Sequence, residues 1–133
     1  GKLGKRLITK VDDLMTQGEN LPKVTPKTTL SKTLIEISSK GLGVALVIDN
    51  KSLKGIFTDG DLRRTLNNES EPLNEVISKF MTKKTKSILK DSLAIDALEV
   101  MQNNKIYSLV VLDQTKNPVG IIRMHDLIEA GLV

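Results

Sequence analysis

The 133-residue sequence predicts a mixed α/β fold, α+β in its layering, built from two tandem β-α-β-β-α repeats packed with pseudo-two-fold symmetry. Three observations predict it. Similar segments recur in the same order at an offset of 63 to 66 residues. Within each period a helix-spaced apolar stripe is followed by two strand-like runs across a turn. The prospective core is aliphatic, since Phe57, Phe80 and Tyr107 are the only aromatic residues.

Taken in order, Gly1–Lys10 is basic and has no counterpart later in the chain, so it reads as a connecting segment. Asp13-Leu14-Met15-Thr16 recurs as Lys79-Phe80-Met81-Thr82. In the first period Leu21–Val24 is a short strand. Pro26 and Thr28-Thr29 turn the chain into a helix over about Leu30–Lys40, with Leu30, Leu34 and Ile37 on one stripe. Gly41 suits a left-handed C-cap. Val44–Ile48 is continuously apolar, as a strand covered on both faces requires. Asp49-Asn50-Lys51 forms the hairpin turn, Leu53–Phe57 the return strand, and Asp59 to about Leu66 a closing helix.

Asn67–Pro72 is a polar loop and Leu73–Ser78 a short helix leading to Phe80-Met81. The second period then repeats the first. Ser87–Leu89 is the short strand. Ser92 is expected to cap a helix to about Asn104, with Leu93, Ala97, Val100 and Met101 inward. Ser108–Leu112 and Val119–Ile122 form the hairpin, and Met124–Ala130 the closing helix, ended by Gly131. The expected domain limits are 1–10 for the connection, 11–72 for the first repeat and 73–133 for the second. A lone repeat of about 60 residues buries little surface and should be marginal, so the two are expected to pack together and to leave a related cleft near the start of each closing helix.

Composition narrows the function classes. Without cysteine there is no disulfide, thiolate catalysis or cysteine metal site. No signal peptide or membrane span is evident, which makes the cytoplasm the default and a membrane partner unexpected. The net charge of +4 is spread over two lysine-rich clusters and lacks interleaved aromatics, so nucleic acid is not an expected partner. The single histidine, His125, has no catalytic or metal-binding companions, and no carboxylate pair carries metal-ligand spacing. Neither catalysis, a metal nor a resident cofactor is expected.

The informative stretch is Gly55-Ile56-Phe57-Thr58-Asp59-Gly60-Asp61-Leu62-Arg63-Arg64, a buried strand turning into a helix. Thr58 is a good N-cap, and Thr58-x-x-Asp61 fits a capping box with Asp in place of Glu, which needs no ligand. The same helix N-terminus can hold an anion, Asp61 can accept hydrogen bonds from vicinal hydroxyls, and Arg63 or Arg64 can face a phosphate. In the second period the acid recurs as Asp126, while the hydroxyl becomes Arg123, which can bind an anion or pair with Asp126 or Asp59. Keeping the acid while losing the hydroxyl is more than a pure cap requires. Asp61 is therefore the residue of first interest.

From Val11 to Val133 these repeats resemble a CBS-domain pair (Bateman module), each with Gly-Ile-x-Thr-x-x-Asp or its relative before the last helix. Leu3-Gly4-Lys5-Arg6-Leu7, Val11-x-Asp13-Leu14-Met15, the Gly55–Arg64 stretch and Met124-His125-Asp126-Leu127 further resemble the C-terminal region of bacterial arabinose-5-phosphate isomerases. The resemblance implies a regulatory region without its catalytic sugar isomerase (SIS) domain, which would precede Gly1. It implies a phosphate contact at Thr58 and a ribose contact at Asp61. The expected ligand-binding set is Thr58, Asp59, Asp61, Arg64, Arg123, His125 and Asp126. A regulatory nucleotide or CMP-sugar such as CMP-Kdo is the expected ligand, with adenine nucleotides as the general alternative. The expected partners are the SIS domain and a second CBS pair in a homodimer of a tetrameric parent, with Leu62, Leu66, Leu127 and Ile128 as candidate contact residues. A purely structural dimerisation module is the other reading.

Overall fold

The computed structural model describes every residue, Gly1–Val133. In chain order the elements are α1 (Lys2–Ile8), α2 (Val11–Leu14), β1 (Thr16–Gln17), β2 (Lys23–Val24), α3 (Leu30–Lys40), β3 (Val44–Asp49), β4 (Ser52–Thr58), α4 (Asp59–Asn68), β5 (Ser87–Leu89), α5 (Ala94–Asn104), β6 (Ser108–Leu112), β7 (Pro118–Arg123) and α6 (Met124–Glu129). They form two compact units that do not follow the linear periods. One comprises Gly1–Gly18 with Lys86–Val133, the other Glu19–Thr85.

The 19–85 unit holds a three-stranded sheet in the order β2-β3-β4, parallel between β2 and β3 and antiparallel across the hairpin. Val44 to Val47 are buried in succession, as their unbroken apolar run requires. Leu30, Val47, Phe57 and Ile77 make the core, with Leu34, Ile37, Leu62, Phe80 and Met81 packed around it. Thr29 caps α3 by accepting from the Lys32 amide at 3.2 Å, and Gly41 ends it at φ +73°. Of the expected strand at Leu21–Val24 only Lys23–Val24 pairs. Leu73–Ser78 contains no α-helix, only a 3-10 turn over Ile77–Lys79. Its start is instead drawn along the beginning of α3, where Leu30 and Ser31 donate their amides to the Glu75 and Leu73 carbonyls.

The other unit holds the order β1-β7-β6-β5. Its core is larger, with Val11, Ala97, Met101, Leu109, Val111, Ile122, Leu127 and Leu132 at its centre. Here the sequence register slips by one residue. The isolated bridges Thr29↔Val76 and Lys10↔Leu93 are equivalent, so Leu93, not Ser92, stands at the cap of α5. That helix has no hydroxyl cap; Ala94 donates its amide to the Thr9 carbonyl at 2.8 Å. Consequently Ala94, Ala97, Leu98 and Met101 are the buried residues of α5, the expected Val100 packs partly buried against the same core, and Leu93 gives up its inward place to Ala94 and Leu98.

Two further expectations change. The Gly1–Lys10 segment contains a helix, α1, whose Arg6 donates to the Leu132 carbonyl at 3.2 Å. Leu127 is fully buried and cannot serve an outside contact, and Leu62 packs on its own core; only Leu66 and Ile128 among the four stand clear, at 56% and 53% exposure.

Each unit is completed by a short segment from the other period. Thr82 exchanges both backbone hydrogen bonds with Ile56, at 2.8 and 2.9 Å, and Thr16-Gln17 pairs with Ile121-Gly120. Gly55 and Gly120 lie under these segments. A Cβ on Gly55 would meet the Thr82 carbonyl at 2.7 Å and the Met81 sulfur at 2.9 Å; one on Gly120 would meet the Thr16 carbonyl at 3.0 Å. The recurring Gly and Met-Thr of the sequence are thus the two sides of one contact, made twice.

Candidate functional site

The strand-to-helix corner of the 19–85 unit is where β4 ends and α4 begins. Phe57 is buried, which anchors the strand, and Thr58 takes an extended conformation at φ −120° before the chain turns helical. The capping box is fully formed. Asp61 donates its amide to Thr58 Oγ1 at 3.4 Å, while Asp61 Oδ2 accepts from the Thr58 amide at 2.9 Å and from its hydroxyl at 3.1 Å.

The other carboxylate oxygen, Oδ1, is shared. It accepts from the Thr82 hydroxyl at 2.6 Å and is paired with the Arg64 guanidinium. Asp61 is 3% exposed, whereas the Arg64 side chain is 66% exposed. A buried carboxylate needs partners for its lone pairs, and here four donors supply them. Three are fixed by local backbone or neighbouring structure. The fourth, Arg64, reaches in from solvent on an exposed side chain.

A cavity of about 220 Å³ opens beside this carboxylate, lined by Asp61, Arg64, Thr65, Asn68, Glu69, Lys79 and Phe80. Asp61, Arg64, Thr65 and Asn68 follow helical spacing, so one face of α4 forms a wall. The Thr65 hydroxyl is already engaged, donating to the Asp61 carbonyl at 2.8 Å. Lys79 brings a second cation, ion-paired with Glu75. The arrangement offers two cations, acidic and amide acceptors and one aromatic ring, a set suited to a polyhydroxylated anion.

Of the residues expected from the sequence, Asp61 and Arg64 line this cavity. Thr58 supports Asp61 from the corner, and Asp59 is exposed outside the lining. Arg123, His125 and Asp126 lie in the other unit. There Asp126 Oδ2 accepts from the Arg123 amide at 2.8 Å, and Oδ1 from its guanidinium at 3.2 Å. His125 is exposed, 3.4 Å from Glu129. In this geometry the retained acid of the second period is engaged by the cap and by the Arg123 pair. A carboxylate three residues into a helix can satisfy the N-cap amide without a hydroxyl there, so the loss of that hydroxyl does not single out a ligand. Thr82, Lys79, Asn68 and Phe80 were not expected at the site. Only the echo of Met15-Thr16 in Met81-Thr82 hinted at Thr82, and no local signal could pair it with a residue 21 positions away.

The CBS domain family matches residues 11–68 and again residues 69–132. Among curated proteins, the chain is 48% identical over 132 residues to the arabinose 5-phosphate isomerase KdsD of Francisella tularensis, covering 99% of this chain and 40% of that protein. It is 46% identical to KdsD of Pseudomonas aeruginosa, over 100% of this chain and 41% of that protein. The chain thus spans about two fifths of the length of these relatives. Among solved structures, the CBS domain pair of protein MJ0100, in complex with 5′-methylthioadenosine and S-adenosyl-L-methionine, superposes with a TM-score of 0.81 at 18% identity, over 93% of this chain and 96% of that one. CBSX2 in complex with AMP superposes with a TM-score of 0.79 at 24% identity, over 94% and 97%. At these identities the superpositions speak for the fold. With both periods matched and the architecture shared, this chain belongs to the CBS-domain family, as a tandem pair.

Proposed function

We propose that this CBS pair is the regulatory, ligand-sensing region of an arabinose 5-phosphate isomerase, and that it takes a nucleotide or nucleotide-sugar at the Asp61 corner. The observation that carries the reading is the asymmetry of the Asp61–Arg64 pair, a buried acid closed off from solvent by an exposed arginine. Vicinal ribose hydroxyls donate to Asp61 Oδ1 in place of the guanidinium. The released Arg64 then turns to the ligand's phosphate, with Thr58 and the first amides of α4 close by. One charge-assisted contact is exchanged for two, which gives the ligand its affinity.

The reading is further supported by the names of the similar proteins and by the AMP and S-adenosylmethionine complexes of the related folds. For an isomerase feeding Kdo synthesis, a downstream CMP-sugar such as CMP-Kdo is the fitting feedback ligand, and adenine nucleotides are the general alternative. The Arg123–Asp126 corner would accept an anion only by opening its own pair, so the two corners differ in the ligand they favour. Asp59 and His125 would contact ligand from the rims of the two corners. Isomerisation itself belongs to the remainder of the longer parent, and the CBS pair acts by shifting that region's arrangement.

Isothermal titration of the 133-residue chain with CMP-Kdo, CMP, AMP and ATP tests this. One of them is expected to bind, and Arg64→Ala to weaken that ligand about tenfold while affecting its nucleoside less. Absence of binding by all four would remove the sensor reading. A second reading, a dimerisation module, is favoured by exposed Leu66 and Ile128 on the closing helices. A chain that binds nothing, is dimeric by sedimentation, and becomes monomeric on Leu66→Glu or Ile128→Glu would establish it.

A further inference from the structure

The Asp61 carboxylate is tied to a piece of chain that no local pattern connects with it. Thr82 stands on the edge of β4, its amide and carbonyl both paired with Ile56, and its hydroxyl donates to Asp61 Oδ1 at 2.6 Å. Beneath it Gly55 leaves no room for a side chain, so the Met81-Thr82 backbone lies directly on the strand. Three residues later, at Thr85, the chain leaves this unit and enters the other at Lys86. The other unit is built differently. Thr16 occupies the equivalent edge position against Ile121, but Asp126 Oδ1 is held by Arg123.

We propose that Thr82 is a positioning residue through which occupancy of the Asp61 corner is passed to the segment leaving the unit. The inference rests on the ligand-sensing reading above. Oδ1 has two donors, Thr82 and Arg64. A ribose hydroxyl arriving there competes with both. When it displaces the Thr82 hydroxyl, the edge pairing with Ile56 loses its side-chain anchor and the Thr82–Thr85 segment loosens. The first corner alone is wired in this way, because Asp126 has no bond to the equivalent threonine. Ligand at the second corner is therefore silent toward its own edge segment.

Amide hydrogen exchange at Ile56 and Thr82 tests the anchor without any ligand. In Thr82→Val, protection of these two amides is expected to fall about tenfold, the factor matching a hydrogen bond to a charged acceptor of about 1.5 kcal/mol. Thr82→Ser, which keeps the hydroxyl, is expected to retain most of it. Thr16→Val in the other unit is expected to leave the Ile121 amide unchanged. Equal loss in Thr82→Val and Thr82→Ser, or no loss in either, would overturn the anchor. The second arm adds AMP, or CMP, at a concentration shown by titration to saturate. Protection at Ile56 and Thr82 is then expected to fall in the wild type and to change no further in Thr82→Val. A nucleotide that binds but leaves wild-type protection unaltered would overturn the coupling and spare the sensor. If neither nucleotide binds, that failure counts against the sensor, and the ligand-free arm still decides the anchor.

Discussion

Replacing Asp61 by alanine separates what the corner does for stability from what it does for ligands. The carboxylate accepts from the Thr58 amide at 2.9 Å, the Thr58 hydroxyl at 3.1 Å and the Thr82 hydroxyl at 2.6 Å, and it pairs with Arg64. Loss of the cap costs about 1 kcal/mol, and the Thr82 bond to a charged acceptor about 1.5 kcal/mol. The Arg64 pair adds only a few tenths, because the Arg64 side chain is 66% exposed and screened by solvent. The sum is about 3 kcal/mol. Asp126→Ala removes one amide contact at 2.8 Å and one pair at 3.2 Å from a side chain that is 12% exposed, and should cost about 1 to 1.5 kcal/mol. Urea unfolding followed by circular dichroism measures both. Asp61→Ala costing no more than Asp126→Ala would refute the claim that the Thr82 tie and deep burial set the first corner apart. Asp61→Asn, which still offers one acceptor oxygen, should fall between them. A loss of nucleotide affinity in Asp61→Ala counts as a binding effect only after this stability cost has been allowed for.

Further outcomes follow from backbone conformation and from one carboxylate. Lys105 caps α5 at φ +54°, where the first period has Gly41, so Lys105→Gly should raise stability by about 0.5 to 1 kcal/mol. Lys51, at φ +66° in the β3–β4 turn, should respond in the same direction to glycine, as read by thermal melts of each variant. Gly55→Ala should cost more than about 2 kcal/mol and abolish the protection of the Thr82 amide, since the new methyl group meets the Thr82 carbonyl at 2.7 Å. Asp113 closes the β6–β7 loop by accepting from the Thr115 hydroxyl at 2.7 Å and the Asn117 amide at 2.9 Å, which hold its carboxyl below the ordinary value of 3.8. A depressed folded value means that its contribution is complete above 3.8 and is lost as the pH falls through the lower, folded value. The stability gap between wild type and Asp113→Ala should therefore be constant from neutral pH to about 5 and close only in strong acid.

Much of this architecture could be read from the chain because its signals are local. The unbroken run Val44–Val47, the Gly41 cap and the Asp49–Lys51 turn each act within a few residues, and α3 and β6 follow the expected bounds. The α5 register slipped because Ser92-Leu93 imitates Thr29-Leu30 in residue type, while the real equivalence, Thr29 with Leu93, is defined by edge bridges to distant chain. Helix α1 lacks an apolar face turned inward; Lys5 and Arg6 approach the carbonyls of Ala130 and Leu132 instead, a contact between opposite ends of the chain. At the candidate site Thr58 and Asp61 were visible as a helix start. Thr82 and Lys79 were not, since the contact that brings their segment to α4 is made over some twenty residues. The acid kept at Asp126 suggested more than capping, and its geometry is satisfied by the cap and the Arg123 pair.

The exchange of edge segments bears on how the molecule is made. Residues 19–85 contain everything their unit needs, so that unit can complete itself while later chain is still being synthesised. Residues 1–18 cannot. Their partners begin at Lys86, and the 67 residues from 19 to 85 must first emerge between them. An unfolded loop of that length would be slow to close, but a loop already folded into a compact body brings its two ends under control and lowers the entropic cost. The earlier unit is thus a template for the later one. A change that destabilises the 19–85 unit, Gly55→Ala for example, should retard maturation of the other unit's core.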